Sequence, residues 1–242
     1  MKGRSTYRIR RYLAGFFFAL LVSGGTVDTY AQRPRRAQRS IRPPELNVQF
    51  HRAETAWKSG NSLLEAKARI DRVIRVLPDD LEARKLRAGI LLTMGKTDRA
   101  FLDARRAVRL GPDDGEAHLL LCETAIRTEH KALGQAALKR SADLLIDRHE
   151  LHIRLSKCAI LLERLDEAEA YARIALAADA MNSEAYLQLA HVFSIVNQDE
   201  NCITVLQRGL TRGVVKPAQL RRDKHFEDLL NDPRLATFLR KR

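Results

Sequence analysis

The stretch Arg72 to Ala83, RVIRVLPDDLEA, returns as RAVRLGPDDGEA at Arg106 to Ala117, with Pro78 and Pro112 separated by 34 residues. No other feature constrains the fold so tightly, because self-similarity at such a period marks units that stack on one another. Leu and Ala lead the composition, and 12 Gly and 7 Pro in 242 residues leave little of the turn punctuation an all-β fold needs. The period and the composition together predict an all-α chain.

Laid on this period, the chain divides into helical hairpins. In the unit that closes at Pro112, LEARKLRAGILLTMG predicts a first helix stopped by Gly95. KTDRAFLDARRAVRLGP predicts a second, with Ala100, Ala104 and Ala107 along one face. The preceding unit carries Trp57, Ala66 and Pro78. The following ones place Cys122 and Gly134, then Ala168, Ala175 and Leu176, then Tyr186, Leu189, Ala190, Phe193 and Cys202, at related positions. In the fourth unit the first helix reads as offset by a few residues, which predicts a longer turn near Ile146 to Glu150. Cys158 has no assigned place in that register. The pattern resembles the tetratricopeptide repeat (TPR), carried here by Ala88, Gly95, Ala100, Ala107 and Pro112, although the family's usual aromatics are missing from this unit. The resemblance implies a TPR solenoid of about five hairpins over residues 47–214, forming a right-handed superhelix whose concave face is lined by the first helix, helix A, of each unit. One hairpin cannot bury its own apolar face, so each unit covers the next.

The ends differ from this body. Residues 1–31 combine a basic start, MKGRSTYRIRRY, with the apolar run LAGFFFALLVSGG and small residues at Thr29 and Ala31, which predicts a signal peptide cut before Gln32 or an uncleaved signal anchor. The run is shorter than the roughly 20 residues of a spanning helix. Arg10-Arg11 fits an ordinary basic leader better than a twin-arginine address. Residues 32–46 form a Pro/Arg-rich linker, read as a solvated spacer or as a contact for an anionic membrane surface. Residues 215–242 break the period. Their apolar clusters Phe226/Leu229/Leu230 and Leu235/Phe238/Leu239, each preceded by an Asp, predict capping helices over the last repeat, with Asp223 and Asp232 as N-caps and Pro233 at a first helical position. The expected location is therefore exported, either periplasmic or secreted, or held at the inner membrane if the signal stays.

The net charge of +13 suggests nucleic acid until it is located. Segments 1–31, 32–44 and 212–242 carry +4, +5 and +5, which leaves −1 on residues 45–211. A near-neutral body is no footprint for a duplex, so no specific nucleic-acid partner is expected. The histidines of RHELH, His149 and His152, lie three apart around Glu150, whereas helical zinc hydrolases use a spacing of four. Asp166, Glu167 and Glu169 read as the acidic start of a helix, and Asp79-Asp80 and Asp113-Asp114 as helix punctuation. Cys122, Cys158 and Cys202, odd in number and widely spaced, read as buried thiols. No phosphate loop or nucleophile motif is present, so no catalytic residue, metal or cofactor is expected, and the chain reads as a non-enzyme.

The TPR resemblance places a partner-binding groove on Lys85, Leu86, Gly89 and Leu92, on Leu119, Leu120, Glu123 and Ile126, and on Leu187, Gln188, His191 and Ser194. Its apolar character predicts an apolar helix or an extended peptide as ligand. The carboxylate clamp of the chaperone-tail-binding branch is not supported, since Lys85 has no partnering Asn. The function that follows is an adaptor or scaffold of the bacterial cell envelope. The alternative is an accessory subunit or chaperone of an envelope assembly or secretion machine, docked through the convex face and basic ends.

Overall fold

The computed structural model describes residues 41–60 and 62–239, and the expectations for 1–31 and for most of the linker lie outside these residues. Ten helices pair into five antiparallel hairpins: α1 (Pro44–Ser59) with α2 (Leu63–Val76), α3 (Leu81–Thr93) with α4 (Thr97–Leu110), α5 (Gly115–Arg127) with α6 (Lys131–Leu144), α7 (His152–Leu161) with α8 (Leu165–Ala178), and α9 (Ser183–Ile195) with α10 (Asp199–Thr211). Then come α11 (Pro217–Arg222), a 3-10 segment (Lys224–Asn231) and α12 (Pro233–Leu239). The first helix starts at Pro44, so the linker ends a few residues earlier than its composition suggests; Pro fits the first turn because its missing N–H has no acceptor there.

The 34-residue period survives as a lattice of repeated roles. Small residues stand where paired helices cross: Ala88, Cys122, Ser156 and Ala190 in the A helices, and Ala100, Gly134, Ala168 and Cys202 in the B helices. All of them are buried. Small side chains there let the helix axes approach closely. In each PDD turn the two acids divide the work. Asp80 Oδ1 accepts from Ala83 N (3.0 Å) and Asp114 Oδ1 from Ala117 N (2.7 Å), which satisfies orphan donors at the starts of α3 and α5. The first acid of each pair instead takes a guanidinium from the following B helix, Asp79 from Arg106 (2.5 Å) and Asp113 from Arg140 (2.7 Å).

The same lattice corrects the expected offset in the fourth repeat. The N-cap positions Asp80, Asp114 and Asn182 accept backbone hydrogen bonds, but the matching position is Arg148, which has no acceptor to offer. Its helix therefore opens as a 3-10 turn, His149–Leu151, before α7 takes over, and no residue is inserted. Arg148→Asn should add about 1 kcal/mol to stability by restoring the cap. Urea denaturation measures the gain, and slower amide exchange at Leu151 and His152 would localise it.

Between helices A and B of the second to fifth repeats one residue adopts a left-handed conformation: Gly95 (φ 70°), Glu129 (62°), Glu163 (61°) and Asn197 (56°). The next N–H of each closes a bond to a carbonyl five residues back, as in Lys96 N to Leu91 O (2.8 Å) and His130 N to Ala125 O (2.8 Å). Glycine is free there, whereas a residue with a Cβ loses roughly 1–2 kcal/mol. Glu129→Gly should thus raise stability by about 0.5–1 kcal/mol after glycine's larger unfolded-state entropy is subtracted. Thermal melting checks it, with a rise of about 2 °C expected for a chain of this size.

Two large apolar clusters fill the middle and the end of the array. The second joins Tyr186, Phe193 and Leu206 to Leu220, Phe226 and Leu235, so the last three elements close the array. Asp223 Oδ1 accepts from His225 N (3.1 Å) and Asp232 Oδ1 from Arg234 N (2.8 Å) at the starts of the final two elements. The three cysteines are buried and free. Cys158 lies two residues beyond the crossing position, beside Cys122, and the hydrogen bond with that neighbour, then burial, pushes its thiol pKa up. Burial pushes the Cys202 thiol up to about 12. Neutral thiols of this kind pack as small apolar groups.

Candidate functional site

Helices α1, α3, α5 and α7 lie side by side, and a groove of about 510 Å³ runs across them. Its lining includes Gly89, Leu92, Leu120, Glu123 and Ile126 of the expected residues, with Trp57, Thr93, Arg127, Arg154, Lys157 and Leu161 added. The α1 wall is the only tryptophan of the chain. Its indole rests on Gly89, where an added Cβ would stand 2.7 Å from the ring, so this glycine is demanded by close approach rather than by a turn. Trp57 Nε1 donates to Thr93 Oγ1 (2.9 Å), and that hydroxyl donates to the Gly89 carbonyl (3.0 Å), which fixes the ring against α3.

On the far wall Arg154 forms a two-pronged pair with Glu123, Nε to Oε1 (2.7 Å) and Nη2 to Oε2 (2.8 Å). Burial works against the Arg154 charge, but Glu123 outweighs it, and the pKa stands above the usual arginine value. Lys157 reaches across to Glu184 (2.5 Å). Leu161 is 62 % exposed at the end of α7. The surface is thus largely apolar; Arg154 is spent on Glu123 and Lys157 on Glu184, while Arg127 forms no ion pair among the described residues.

The remaining expected groove residues lie elsewhere. Leu86 and Leu119 are buried core residues and line no part of this groove. Lys85 is held beneath a second hollow, lined by Asp113, Asp114 and Glu116. Its Nζ meets Asp114 (2.9 Å), Glu82 (3.0 Å) and Glu116 (3.2 Å). Burial opposes its charge, yet these carboxylates prevail and raise its pKa. Lys85 therefore ties repeats together, and reversing its charge would test folding rather than partner capture. Gln188 is buried with its Nε2 donating to Ser156 Oγ (3.0 Å). Leu187 is partly buried against the last apolar cluster. Ser194 Oγ donates to the His225 carbonyl (3.0 Å), and the His191 ring lies 3.7 Å from that of His225, centroid to centroid. The closing segment thus covers the part of α9 that the resemblance assigned to the groove. Burial, then the charge of His225, lowers the His191 pKa.

The missed residues were within reach of the sequence. Adding 34 to Leu120, Glu123 and Arg127 gives Arg154, Lys157 and Leu161, but the supposed offset of the fourth repeat hid them. Arg42, read as part of a linker that is a solvated spacer or a contact for an anionic surface, is instead committed to Asp80 (Nε–Oδ2 2.5 Å, Nη2–Oδ1 2.8 Å) and stacks on Phe50. His152 is buried, with Nδ1 donating to the Arg148 carbonyl (3.2 Å), while His149 is exposed. Among the described residues no group of three His, Cys, Asp or Glu is placed to hold a metal ion.

Solved structures share this arrangement of hairpins. That of PilW, a widely conserved type IV pilus biogenesis factor, superposes with a TM-score of 0.66 at 20% identity, over 81% of this chain and 91% of that one. TTC0263, a thermophilic TPR protein of Thermus thermophilus, gives 0.63 at 19% identity over 76% of this chain and 99% of its own. The chain has the tetratricopeptide-repeat fold. YrrB, described as a TPR protein with an unusual peptide-binding site, matches at 0.50 with 18% identity over 67% of this chain and 84% of that one. No protein-family model and no curated protein matches the sequence. At these identities the TPR likeness speaks for the fold.

Proposed function

We propose that this TPR chain is a non-catalytic adaptor of the bacterial cell envelope that holds a protein segment in the groove across α1, α3, α5 and α7. The observation that carries the reading is the apolar wall of half-buried Leu92 and Ile126 and exposed Leu161, beside Arg127, which forms no ion pair among the described residues, and the paired Arg154 and Lys157. A segment that offers apolar side chains at one face and an acid at the other fits it: burial supplies affinity, and the cations set orientation. The groove's only thiol, Cys158, is buried with a raised pKa, which is the wrong state for a nucleophile. The peptide-binding site named for YrrB and the pilus-biogenesis role named for PilW are consistent with a protein partner. The leader-like residues 1–31 motivate the envelope location, which among the described residues no membrane-length apolar helix supplies.

The test is a comparative pull-down from envelope extract, read by mass spectrometry. Leu161→Asp with Arg127→Glu, both at exposed positions, should reduce recovery of the specific partner at least tenfold, since a lost apolar anchor and a reversed charge each remove about 1–3 kcal/mol. A partner retained by this variant but lost when residues 32–40 are deleted would place docking at the ends and overturn the groove reading.

A further inference from the structure

Helices α2 and α4 flank a hollow of about 730 Å³ floored by α3. Its lining carries seven cationic side chains against two acids, although residues 45–211 as a whole are near neutral. Both acids are spent. Asp103 accepts from Arg84 Nη1 (2.8 Å), Arg87 Nε (2.6 Å) and Arg87 Nη2 (2.7 Å), and Asp71 accepts from Lys67 (2.5 Å) and Arg87 (3.0 Å). Burial pushes the Asp71 carboxyl up, but the hydrogen bonds from Lys67 and Arg87 outweigh it and hold its pKa below the ordinary value. Arg106 turns to Asp79. Arg75, Arg99 and Arg109 are exposed and, among the described residues, form no ion pair.

Three observations speak against a merely solvated face. Arg99, Leu102, Arg106 and Arg109 follow one another at steps of three and four, so they share one stripe of α4 that borders the hollow. Arg99 stands in the first turn of α4, where the helix dipole disfavours a cation, and no ion pair among the described residues offsets this. The cations surround a concavity, which focuses their potential and favours a bound anion more than the same charges would on a flat surface. Guanidinium forks match the oxygens of a phosphate group, and several forks around one hollow match several phosphate oxygens.

We infer that this hollow is a binding site for a compact ligand bearing two or more phosphate groups, either soluble or displayed as the headgroup of an anionic lipid. The floor network of Asp71, Arg87, Asp103 and Arg84 fixes the walls. The unpaired guanidiniums of Arg75, Arg99 and Arg109 supply the ligand contacts. The inference is independent of the adaptor reading, since no residue of the hollow lines the groove.

Isothermal titration of the full chain with inorganic tripolyphosphate, and co-sedimentation with vesicles containing cardiolipin, whose headgroup carries two phosphates, test it on three proteins. These are the wild type, a triple variant Arg75→Gln/Arg99→Gln/Arg109→Gln, and a charge-matched control Arg52→Gln/Arg208→Gln/Arg222→Gln altered at exposed sites outside the hollow. The triple variant should weaken binding roughly tenfold or more, and the control by less than about twofold. Thermal melting of all three checks that folding is intact; if the triple variant melts early, Arg99→Gln alone should still weaken binding about threefold. Tripolyphosphate binding with this dependence supports a soluble source, and vesicle binding with it supports a lipid source. Equal loss in the control, no saturable binding in either assay, or binding of single-stranded DNA without either phosphate probe would overturn the inference.

Discussion

Phe226→Ala is expected to lower stability by about 3–5 kcal/mol, a large share of what a domain of this kind has to spare. Phe226 is fully buried in the cluster that joins the last hairpin to the closing elements, where it lies with Leu206, Leu220 and Leu235. Truncation deletes apolar burial and leaves a cavity that short, 3-10-type backbone around it cannot readily collapse upon. Because a solenoid is stabilised between neighbours, the loss should fall first on α9 and α10, whose apolar face the cap covers. Urea denaturation should show an earlier midpoint, and hydrophobic-dye binding should rise in native buffer. An unchanged midpoint, for this variant and for Leu235→Ala, would contradict a capping role for residues 217–239.

Asp103→Ala should cost about 2–4 kcal/mol, for a different reason. The Asp103 carboxylate is almost entirely buried and takes three hydrogen bonds from two arginines, so its removal leaves two guanidiniums facing one another. The figure stands below the full buried-pair loss because Arg84 and Arg87 keep some water contact and Arg87 retains Asp71. A double-mutant cycle with Arg87→Met separates the causes. The double variant should recover part of the loss, because it no longer leaves that second charge unpaired; strict additivity of the two single losses would contradict the network.

The two PDD turns show why the fold was legible. Pro78 and Pro112 end B helices, Asp80 and Asp114 cap A helices, and local chemistry of that kind is written in short stretches. Where the sequence misled, one residue broke a local rule while the long-range period held. Arg148 cannot cap, so the fourth repeat looked displaced, although the left-handed position at Glu163 falls 34 residues after Glu129 as packing requires. The groove was less legible, because residue type does not decide which face a leucine takes. Leu120 and Leu119 are adjacent, and only the former borders the groove, a distinction set by how α5 rotates between its neighbours. Lys85 and Gln188 looked like ligand-binding groups, but burial beside Asp114 and Ser156 assigns them to the joints between repeats. The arginine hollow was invisible to a segment-averaged charge, since the acids that cancel it lie elsewhere on the array.

The adaptor claim is tested most directly by site-specific photo-crosslinking in cells. A photoreactive residue is placed at Leu161 or at Ile126 in the groove, and as a control at exposed Ile174 on α8. The account predicts a crosslink to the same partner from both groove positions, none from Ile174, and loss of both crosslinks when Arg127→Glu is added. A crosslink from Ile174 as strong as from Leu161, or no protein crosslink from either groove position, would contradict it.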